Sequence, residues 1–363
     1  MGRSLISSNV DRPEIEAIPE PYRLAGYDYP LDPLRVAQRP AAERDGARLL
    51  VVERDGALRH RSFCDIGAEL RAGDLLVLND SRVVPARILA VKSGSGGKVE
   101  ILLLQRRGPD WEALVRGSVR VGQRLALMAP DSPMAEIREA LGSGRWRLRF
   151  VTPAGAAADP DLERIGRPPL PPYIRRPADP DDRERYQTVY ARVSGSVAAP
   201  TAGLHFAPRT LVDLQLRGIG VAFVTLHIGL GTFRPVEDTD IRRHRMHAER
   251  FDVPNATAIA VKAARAAGGR VVAVGTSALR VLETAAGAGG TLRAGSGETD
   301  LFIYPGFKFG AVDALLTNFH MPRSTLLMLV AAFAGQDVIR AAYATATDHD
   351  YRFLSYGDAM LIL

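Results

Sequence analysis

Cysteine is almost absent from this sequence, with Cys64 the one thiol among 363 residues. A single cysteine excludes an intramolecular disulfide and a metal cluster built on several thiolates. This composition is typical of proteins from reducing compartments, and we expect a cytoplasmic protein.

Long apolar runs are also missing. The longest run near the end, 326–334, is about half of the roughly 20 residues that a membrane-spanning helix requires. The first residues contain no apolar core typical of an export signal. We therefore expect a soluble protein that is neither exported nor bound to a membrane. Residues 1–24 are polar and contain several prolines, which predicts a loosely ordered extension.

Lysine is scarce, since it occurs only at positions 92, 98, 262 and 308. Arginine supplies most of the positive charge, and its planar donor fork suits phosphate groups. The formal net charge is +6 and the pI is near 9.6. Both signs of charge are present, however, and a GC-rich genome produces the same arginine bias. Charge alone indicates only a mild preference for a polyanionic partner.

Short strands dominate the first half of the chain. A length of 363 residues makes two domains the default. Apolar runs at 48–52 and 74–77 are of strand type, and alternating segments between 83 and 151 are separated by turn signals. This spacing predicts a small antiparallel barrel. The glycine-rich stretch 94–98 lacks the spacing of a phosphate loop and predicts a hairpin turn.

The second half alternates between strand and helix patterns, which predicts an α/β arrangement. A proline-rich span at 167–180 is interpreted as the linker out of the barrel. The expected elements are 211–217, 221–226, 256–267, 271–274, 278–285 and 324–334. The Gly- and Ala-rich stretch 286–296 predicts a flexible surface loop.

A hydroxyl and an imidazole, those of Thr201 and His205, stand in an otherwise apolar stretch around Gly203. Pro200 and Gly203 disfavour a regular helix, so this stretch is expected to form a turn. The alternative is that Thr201 caps the next helix and that His205 is a satisfied core residue. Histidine at such a place offers proton transfer near neutral pH.

Strand ends carry further candidate contacts. The apolar run 271–274 leads into Gly275 and Thr276, with Arg280 on the following helix. Open α/β sheets bind ligands at such carboxyl ends, although an ordinary joint capped by Thr276 is the competing interpretation. In the same way, His227 and Gly229 follow the apolar run 221–226. A metal site is not expected, because the His244 and His247 pair lacks supporting Glu or Cys ligands.

Blocks of sequence in a fixed order connect these features to one family. They are LNDSRVVPAR at 78–87, PPLPPYI at 168–174, YQTVY at 186–190, AAPTAGLHF at 198–206, TLHIGLGTF at 225–233, HRMHAE at 244–249, IYPGF at 303–307, TNFHMPRST at 317–325 and YRFLSYGDA at 351–359. From about Tyr27 to its last residues the chain resembles the S-adenosylmethionine:tRNA ribosyltransferase-isomerases of queuosine biosynthesis. The resemblance implies an α/β catalytic domain, 25–73 and 154–363, with an antiparallel β-barrel inserted at 74–153.

The resemblance also implies a reaction. The ribosyl carbons of S-adenosylmethionine, a co-substrate and not a retained cofactor, pass to the exocyclic amine of 7-aminomethyl-7-deazaguanine at the tRNA wobble position. Epoxyqueuosine forms, and adenine and methionine leave. The rival interpretations are an S-adenosylmethionine-dependent RNA methyltransferase and a non-catalytic RNA-binding protein. We expect a monomer without a metal.

Residue roles follow from the resemblance as hypotheses. His205 and His227 are the leading candidates for the general base, with the carboxylates of Glu249 and Asp358 as alternatives. The expected substrate contacts are Asn79, Arg82, Thr201, Gly229, Gly231, Thr232, Gly275, Thr276, Arg280, Tyr304, Asn318 and His320. Each has a structural alternative, such as a turn held by Asn79 or a chain bond made by Asp358. Tyr173, Arg175 and Arg176 are expected to bind tRNA, unless ion pairs with nearby Asp residues occupy the arginines.

Overall fold

Two β-structures make up the core of the protein. The computed structural model describes residues 18–229 and 236–363. The strands are β1 (Arg48–Val52), β2 (Leu58–Ser62), β3 (Leu75–Asn79), β4 (Ser81–Val83), β5 (Arg87–Lys92), β6 (Lys98–Arg107), β7 (Asp110–Arg116), β8 (Arg124–Leu127), β9 (Met134–Gly142), β10 (Arg145–Val151), β11 (Val193–Ser196), β12 (Gly220–Leu226), β13 (Glu249–Val253), β14 (Val271–Val274), β15 (Gly295–Thr299), β16 (Ala314–Asn318) and β17 (Ala359–Ile362). The helices are α1 (Ile66–Glu69), α2 (Leu162–Ile165), α3 (Asp182–Arg185), α4 (Pro208–Leu216), α5 (Asn255–Ala266), α6 (Thr276–Ala286), α7 (Thr325–Ala334) and α8 (Gln336–Asp348).

The larger sheet has, within the described residues, nine strands in the order β15-β13-β12-β3-β14-β16-β17-β1-β2. Its four central strands β12, β3, β14 and β16 are parallel, so their carboxyl ends share one edge. Strands β3, β14 and β16 are buried along their whole length. Burial on both faces explains why these strands are continuous apolar runs without alternation.

Alternate residues of the central strands pack into two separate cores. Leu75 and Val77 face the core that contains residues of α5–α8, whereas Leu76 and Leu78 face the core that contains residues of α4. This is the two-residue period expected of a strand. The result is a sheet covered by helices on both faces, which confirms the expected α/β fold.

The smaller structure is a closed antiparallel barrel, in the order β10-β7-β6-β5-β8-β9. Inward residues of each strand, such as Ile101 and Leu148, are fully buried and alternate with more exposed neighbours. The tip of the β5–β6 hairpin is the predicted glycine turn. Gly94 and Gly96 have φ of +94° and +68°, values that glycine adopts at little cost.

The barrel begins later in the chain than we predicted. β3 belongs to the large sheet, where it pairs with β12 and β14, so the barrel strands start at Arg87 and not at 74. The chain also stays with the barrel beyond 153, because Ile165 packs in its core and Arg167 bridges to Arg87. The first error has a physical cause: the partners of β3 lie far away in the sequence.

The predicted linker and the end of the predicted extension are both packed. In the proline-rich span, Leu170 and Ile174 are buried in a small core with Tyr186 and Tyr356. At the end of the predicted extension, Leu24 is buried and its backbone N–H bonds to Thr239. Residues 1–17 lie outside the described residues.

No single helix in the described ranges is long and apolar enough to cross a membrane. Helices α7 and α8 taken together are long and apolar enough for a membrane span, but the chain bends by 114° at the break between them.

Candidate functional site

A cleft lies at the carboxyl edge of the parallel strands. Residues at the ends of β12, β14 and β16 line it, together with the turn 198–202 and the segments 319–326 and 354–355. Open α/β sheets bind ligands at this edge because loops and helix N-termini converge there. Eight of the residues selected from the sequence line the cleft: Tyr173, Thr201, Glu249, Gly275, Thr276, Arg280, Asn318 and His320.

The N-terminus of α6 opens on this cleft. Gly275 precedes the helix with φ of +88°, a conformation that favours glycine. Thr276 is the first helical residue and not the cap, and no described side chain caps the helix. The first N–H groups of a helix have no partner within it, and the helix dipole makes this end attractive to an anion. The cleft therefore has a place for a carboxylate or a phosphate.

A buried ion pair lies beside this helix end. The guanidinium of Arg280 donates from Nη1 to Glu249 Oε2, and the two residues are 4% and 7% exposed. The second oxygen, Glu249 Oε1, accepts from the backbone N–H of Gly229 at 2.8 Å. Arg280 also donates from Nε to the carbonyl of Leu301 at 3.0 Å. These bonds hold both charges rigidly at the cleft wall.

Another part of the cleft wall is polar but neutral. Asn318 ends β16 and is 2% exposed. Its Nδ2 lies 3.2 Å from the carbonyl oxygen of Leu354 and 3.2 Å from Nε2 of His205. His320 Nε2 bonds to the hydroxyl of Thr317 at 2.9 Å. Ser355, also in the cleft wall, bonds to the hydroxyl of Tyr173 at 2.7 Å.

Burial keeps both of these histidines neutral. It lowers the pKa of His320 to about 3. Burial, with a smaller contribution from the charge of Arg352, likewise lowers the pKa of His205 to about 3. The charged form of an imidazole is disfavoured where water cannot solvate it. At neutral pH each histidine is therefore a hydrogen-bonding group and carries no charge.

Comparison with known proteins decides the family. The profile of a family described as "Queuosine biosynthesis protein" matches residues 24–362. The chain belongs to this family. A relative from Moorella thermoacetica is 51% identical over 94% of this chain and 100% of its own length, and one from Geobacter sulfurreducens is 51% identical over 93% and 98%. Both are named S-adenosylmethionine:tRNA ribosyltransferase-isomerase.

A solved structure supports the same assignment. The S-adenosylmethionine tRNA ribosyltransferase of Thermotoga maritima is 38% identical, with a TM-score of 0.53, and the match covers 93% of this chain and 100% of that one. The resemblance inferred from the sequence blocks is thereby confirmed, and so is the assignment to an enzyme family of the transferase-isomerase type.

Both histidines favoured as the base lie outside the cleft wall of this queuosine-family chain. His205 is behind Asn318, with its ring 5.1 Å from that of Phe63. His227 follows Leu226 and precedes Ile228, which line the cleft, so it points to the opposite face. Its ring packs on Gly195, where an added Cβ would lie 2.9 Å from the imidazole. Burial and the charge of Arg250 lower the pKa of His227.

Two other expected residues brace the chain. Asp358 accepts the backbone N–H groups of Arg48 and Arg352 at 3.0 and 2.7 Å. Asn79 accepts from Leu226 N–H and donates to its carbonyl, which ties β3 to the end of β12. Both side chains are buried. These bonds favour the structural alternatives for both residues, a chain bond made by Asp358 and a turn held by Asn79, over the roles of base and substrate contact.

The remaining expected residues are spread around the cleft. Tyr304 is half-buried against Tyr22 and Phe302, and Arg82 is exposed on β4. Neither lines the cleft. Gly229 does not line the cleft, but its backbone N–H donates to Glu249, which does. Gly231 and Thr232 lie outside the described residues.

The three tRNA candidates differ in their surroundings. Tyr173 lines the cleft, and Arg175, two residues further along, is exposed. Arg176 instead makes a bidentate pair with Asp182 at 2.6 and 2.8 Å. The competing interpretation of this segment, pairing with nearby Asp residues, thus holds for Arg176.

Sequence reasoning did not select Thr317, Ser355 or Leu354, although all three line the cleft. They lie inside the sequence blocks at 317–325 and 351–359 that support the resemblance. A signal for them was therefore present. What was missing was any indication that the turn after α8 returns to the end of β16.

Proposed function

We propose that this protein transfers and isomerises the ribosyl group of S-adenosylmethionine onto 7-aminomethyl-7-deazaguanine at the wobble position of tRNA. The product is epoxyqueuosine-tRNA, and adenine and methionine are released. The observation that carries the proposal is the match to relatives of this activity from end to end, at 51% identity. The cleft adds support, since its wall combines a charged pair with neutral polar and apolar groups, and S-adenosylmethionine likewise has charged and uncharged parts.

The reaction requires a base to remove a proton that the adjacent sulfonium makes acidic. Of the four candidates selected from the sequence, Glu249 lines the cleft, whereas His205, His227 and Asp358 do not. We assign this role to Glu249, and Arg280 fixes its carboxylate in place. A carboxylate also stabilises a neighbouring sulfonium by charge attraction.

The remaining contacts follow from the charges of the ligand. The uncapped N-terminus of α6, at Gly275 and Thr276, suits an anionic group of a substrate, a carboxylate or a phosphate. Thr201 also lines the cleft. Tyr173 offers a stacking surface at the cleft, and exposed Arg175 offers a phosphate donor beside it. Arg176 holds the segment through Asp182.

The test is to incubate the protein with S-adenosylmethionine and tRNA that carries 7-aminomethyl-7-deazaguanine. Mass spectrometry of small products and digested nucleosides then identifies the reaction. Adenine, methionine and an epoxyqueuosine nucleoside are expected. S-adenosylhomocysteine with a methylated nucleoside would establish a methyltransferase instead, and an absence of turnover with authenticated tRNA would favour binding alone.

A further inference from the structure

The carboxamide of Asn318 is fixed in one orientation. Its Nδ2 has two N–H groups, and the carbonyl of Leu354 and Nε2 of His205 lie in reach of them. In the flipped orientation, Oδ1 would face the carbonyl oxygen of Leu354, and two acceptors repel each other. Leu354 O cannot move away, because it also accepts the backbone N–H of Gly357 at 2.9 Å.

This orientation determines the tautomer of His205. Nδ2 of an amide only donates, so the imidazole Nε2 that faces it must be the unprotonated nitrogen. The ring proton is therefore on Nδ1. A neutral His205 satisfies this requirement, and its burial favours that state. His205 thus acts as an acceptor that fixes the orientation of the Asn318 amide.

The amide oxygen is left without a partner. Asn318 Oδ1 is buried, and no donor within the described residues reaches it. An unpaired buried acceptor costs about 1–3 kcal/mol, so it is uncommon unless a ligand supplies the donor. Asn318 lines the cleft. The missing donor is therefore expected on the molecule that fills the cleft.

The surroundings of the amide favour a neutral donor. Phe319, Leu354, Pro322 and Leu326 supply apolar walls to the cleft. Glu249 begins β13, four strand positions from β16 in the sheet order, and its partner Arg280 lies on α6, which follows β14 beside β16. The groups bonded to the Asn318 amide, the carbonyl of Leu354 and the neutral ring of His205, carry no charge. An uncharged heterocycle therefore suits the amide oxygen.

We propose that Asn318 Oδ1 accepts a hydrogen bond from the exocyclic amine of the adenine of S-adenosylmethionine, and that His205 is a positioning residue that acts through Asn318. The inference rests on the proposed function, because that function supplies the ligand. It also assigns an orientation: adenine lies at Asn318 and the methionine moiety lies toward Glu249.

The test compares two ligands on the unaltered protein. Isothermal titration calorimetry measures the Kd of S-adenosylmethionine and of an analogue in which hydrogen replaces the 6-amino group. Loss of the amine leaves Oδ1 unpaired, so binding is expected to weaken roughly tenfold. In Asn318→Ala the two ligands are expected to bind equally. Equal binding to the unaltered protein, or discrimination that persists in Asn318→Ala, overturns the proposal.

Variants of His205 separate positioning from proton transfer. His205→Leu removes the acceptor and is expected to raise KM for S-adenosylmethionine and to abolish discrimination against the amine-free ligand. His205→Gln retains an acceptor oxygen and is expected to restore part of that discrimination. The pH profile of kcat is expected to keep its shape in both variants. A kcat loss of two to four powers of ten with a vanished limb of the profile would make His205 the base and refute the positioning role.

The exposed His349 offers a matched control, since His349→Leu makes the same change at an exposed position.

Failure of the proposed function gives a different pattern of results from failure of this inference. Binding of S-adenosylmethionine with amine discrimination but without transfer to tRNA would refute the reaction and leave this inference standing. No binding by the unaltered protein would refute both.

Discussion

Replacement of Glu249 by glutamine separates the proposed role of this residue as the general base from its role in the buried ion pair with Arg280. The change keeps the size of the side chain and an oxygen that can accept from Gly229 N–H, but it removes the negative charge. Arg280, which is 4% exposed, then loses the carboxylate that pairs with it. Loss of one member of a buried ion pair costs about 3–5 kcal/mol. The carbonyls of Leu301 and Thr299 still accept from Arg280, so we expect the lower end of this range.

The expected consequences are measurable in two assays. A loss of about 3 kcal/mol corresponds to a fall in Tm of roughly 5 °C for a domain of this size. With saturating S-adenosylmethionine and tRNA, kcat is expected to fall by roughly two to four powers of ten, because no base removes the proton next to the sulfonium. Differential scanning fluorimetry and quantification of released adenine give the two values.

A neighbouring ion pair provides the control. Glu298 on β15 pairs with Arg250 at 3.6 Å, and the two side chains are 62% and 64% exposed. Glu298→Gln is the same chemical change on the adjacent strand, and an exposed pair contributes about 0–1 kcal/mol. Near-normal kcat in Glu249→Gln would refute the assignment of the base. A Tm equal to that of Glu298→Gln would refute the account of the buried pair.

Four further substitutions test other parts of the structure. Gly357→Ala places a Cβ 2.4 Å from the carbonyl oxygen of Arg352, so a lower Tm and a higher KM for S-adenosylmethionine are expected, and unchanged values would contradict the packing. His320 has its folded pKa lowered to about 3, so the unfolded chain binds its proton first and stability falls as pH drops below about 6.5. Between pH 6.5 and 5 this amounts to about 2 kcal/mol, and a weaker acid dependence of Tm is expected in His320→Gln; an identical pH profile would exclude the buried neutral imidazole. Arg175→Ala is expected to weaken tRNA binding in filter assays and to leave the Kd of S-adenosylmethionine unchanged, whereas Arg176→Ala is expected to lower Tm, and the reverse pattern would exchange their roles.

Much of the fold was accessible from local patterns. Apolar runs identified β1, β3, β12 and β14, and alternation with turn signals identified a barrel. These features depend on neighbours in sequence, so a single chain reveals them. The start of the barrel was wrong because β3 resembles the short strands that follow it. Its partners, which begin at Gly220 and Val271, lie more than a hundred residues away.

The residues of the candidate site also fall into those that local sequence patterns predicted correctly and those that they did not. Gly275, Thr276 and Arg280 were expected at a strand end, and they do line the cleft, because the carboxyl ends of parallel strands meet at one edge. His205 and His227 were selected for their chemistry, and neither faces the cleft. For His227, a shift of one residue along β12 exchanges the faces of the sheet.

The sequence by itself determined the family, the strand types and the set of polar residues available to the cleft, since these depend on residue identity and local order. Only the tertiary structure decided which of those residues face one another. It placed Glu249 against Arg280 and turned Asn318 between His205 and Leu354. These contacts join strands and turns that are distant in the chain, and a side chain's accessibility, charge state and free lone pair are all fixed by such neighbours.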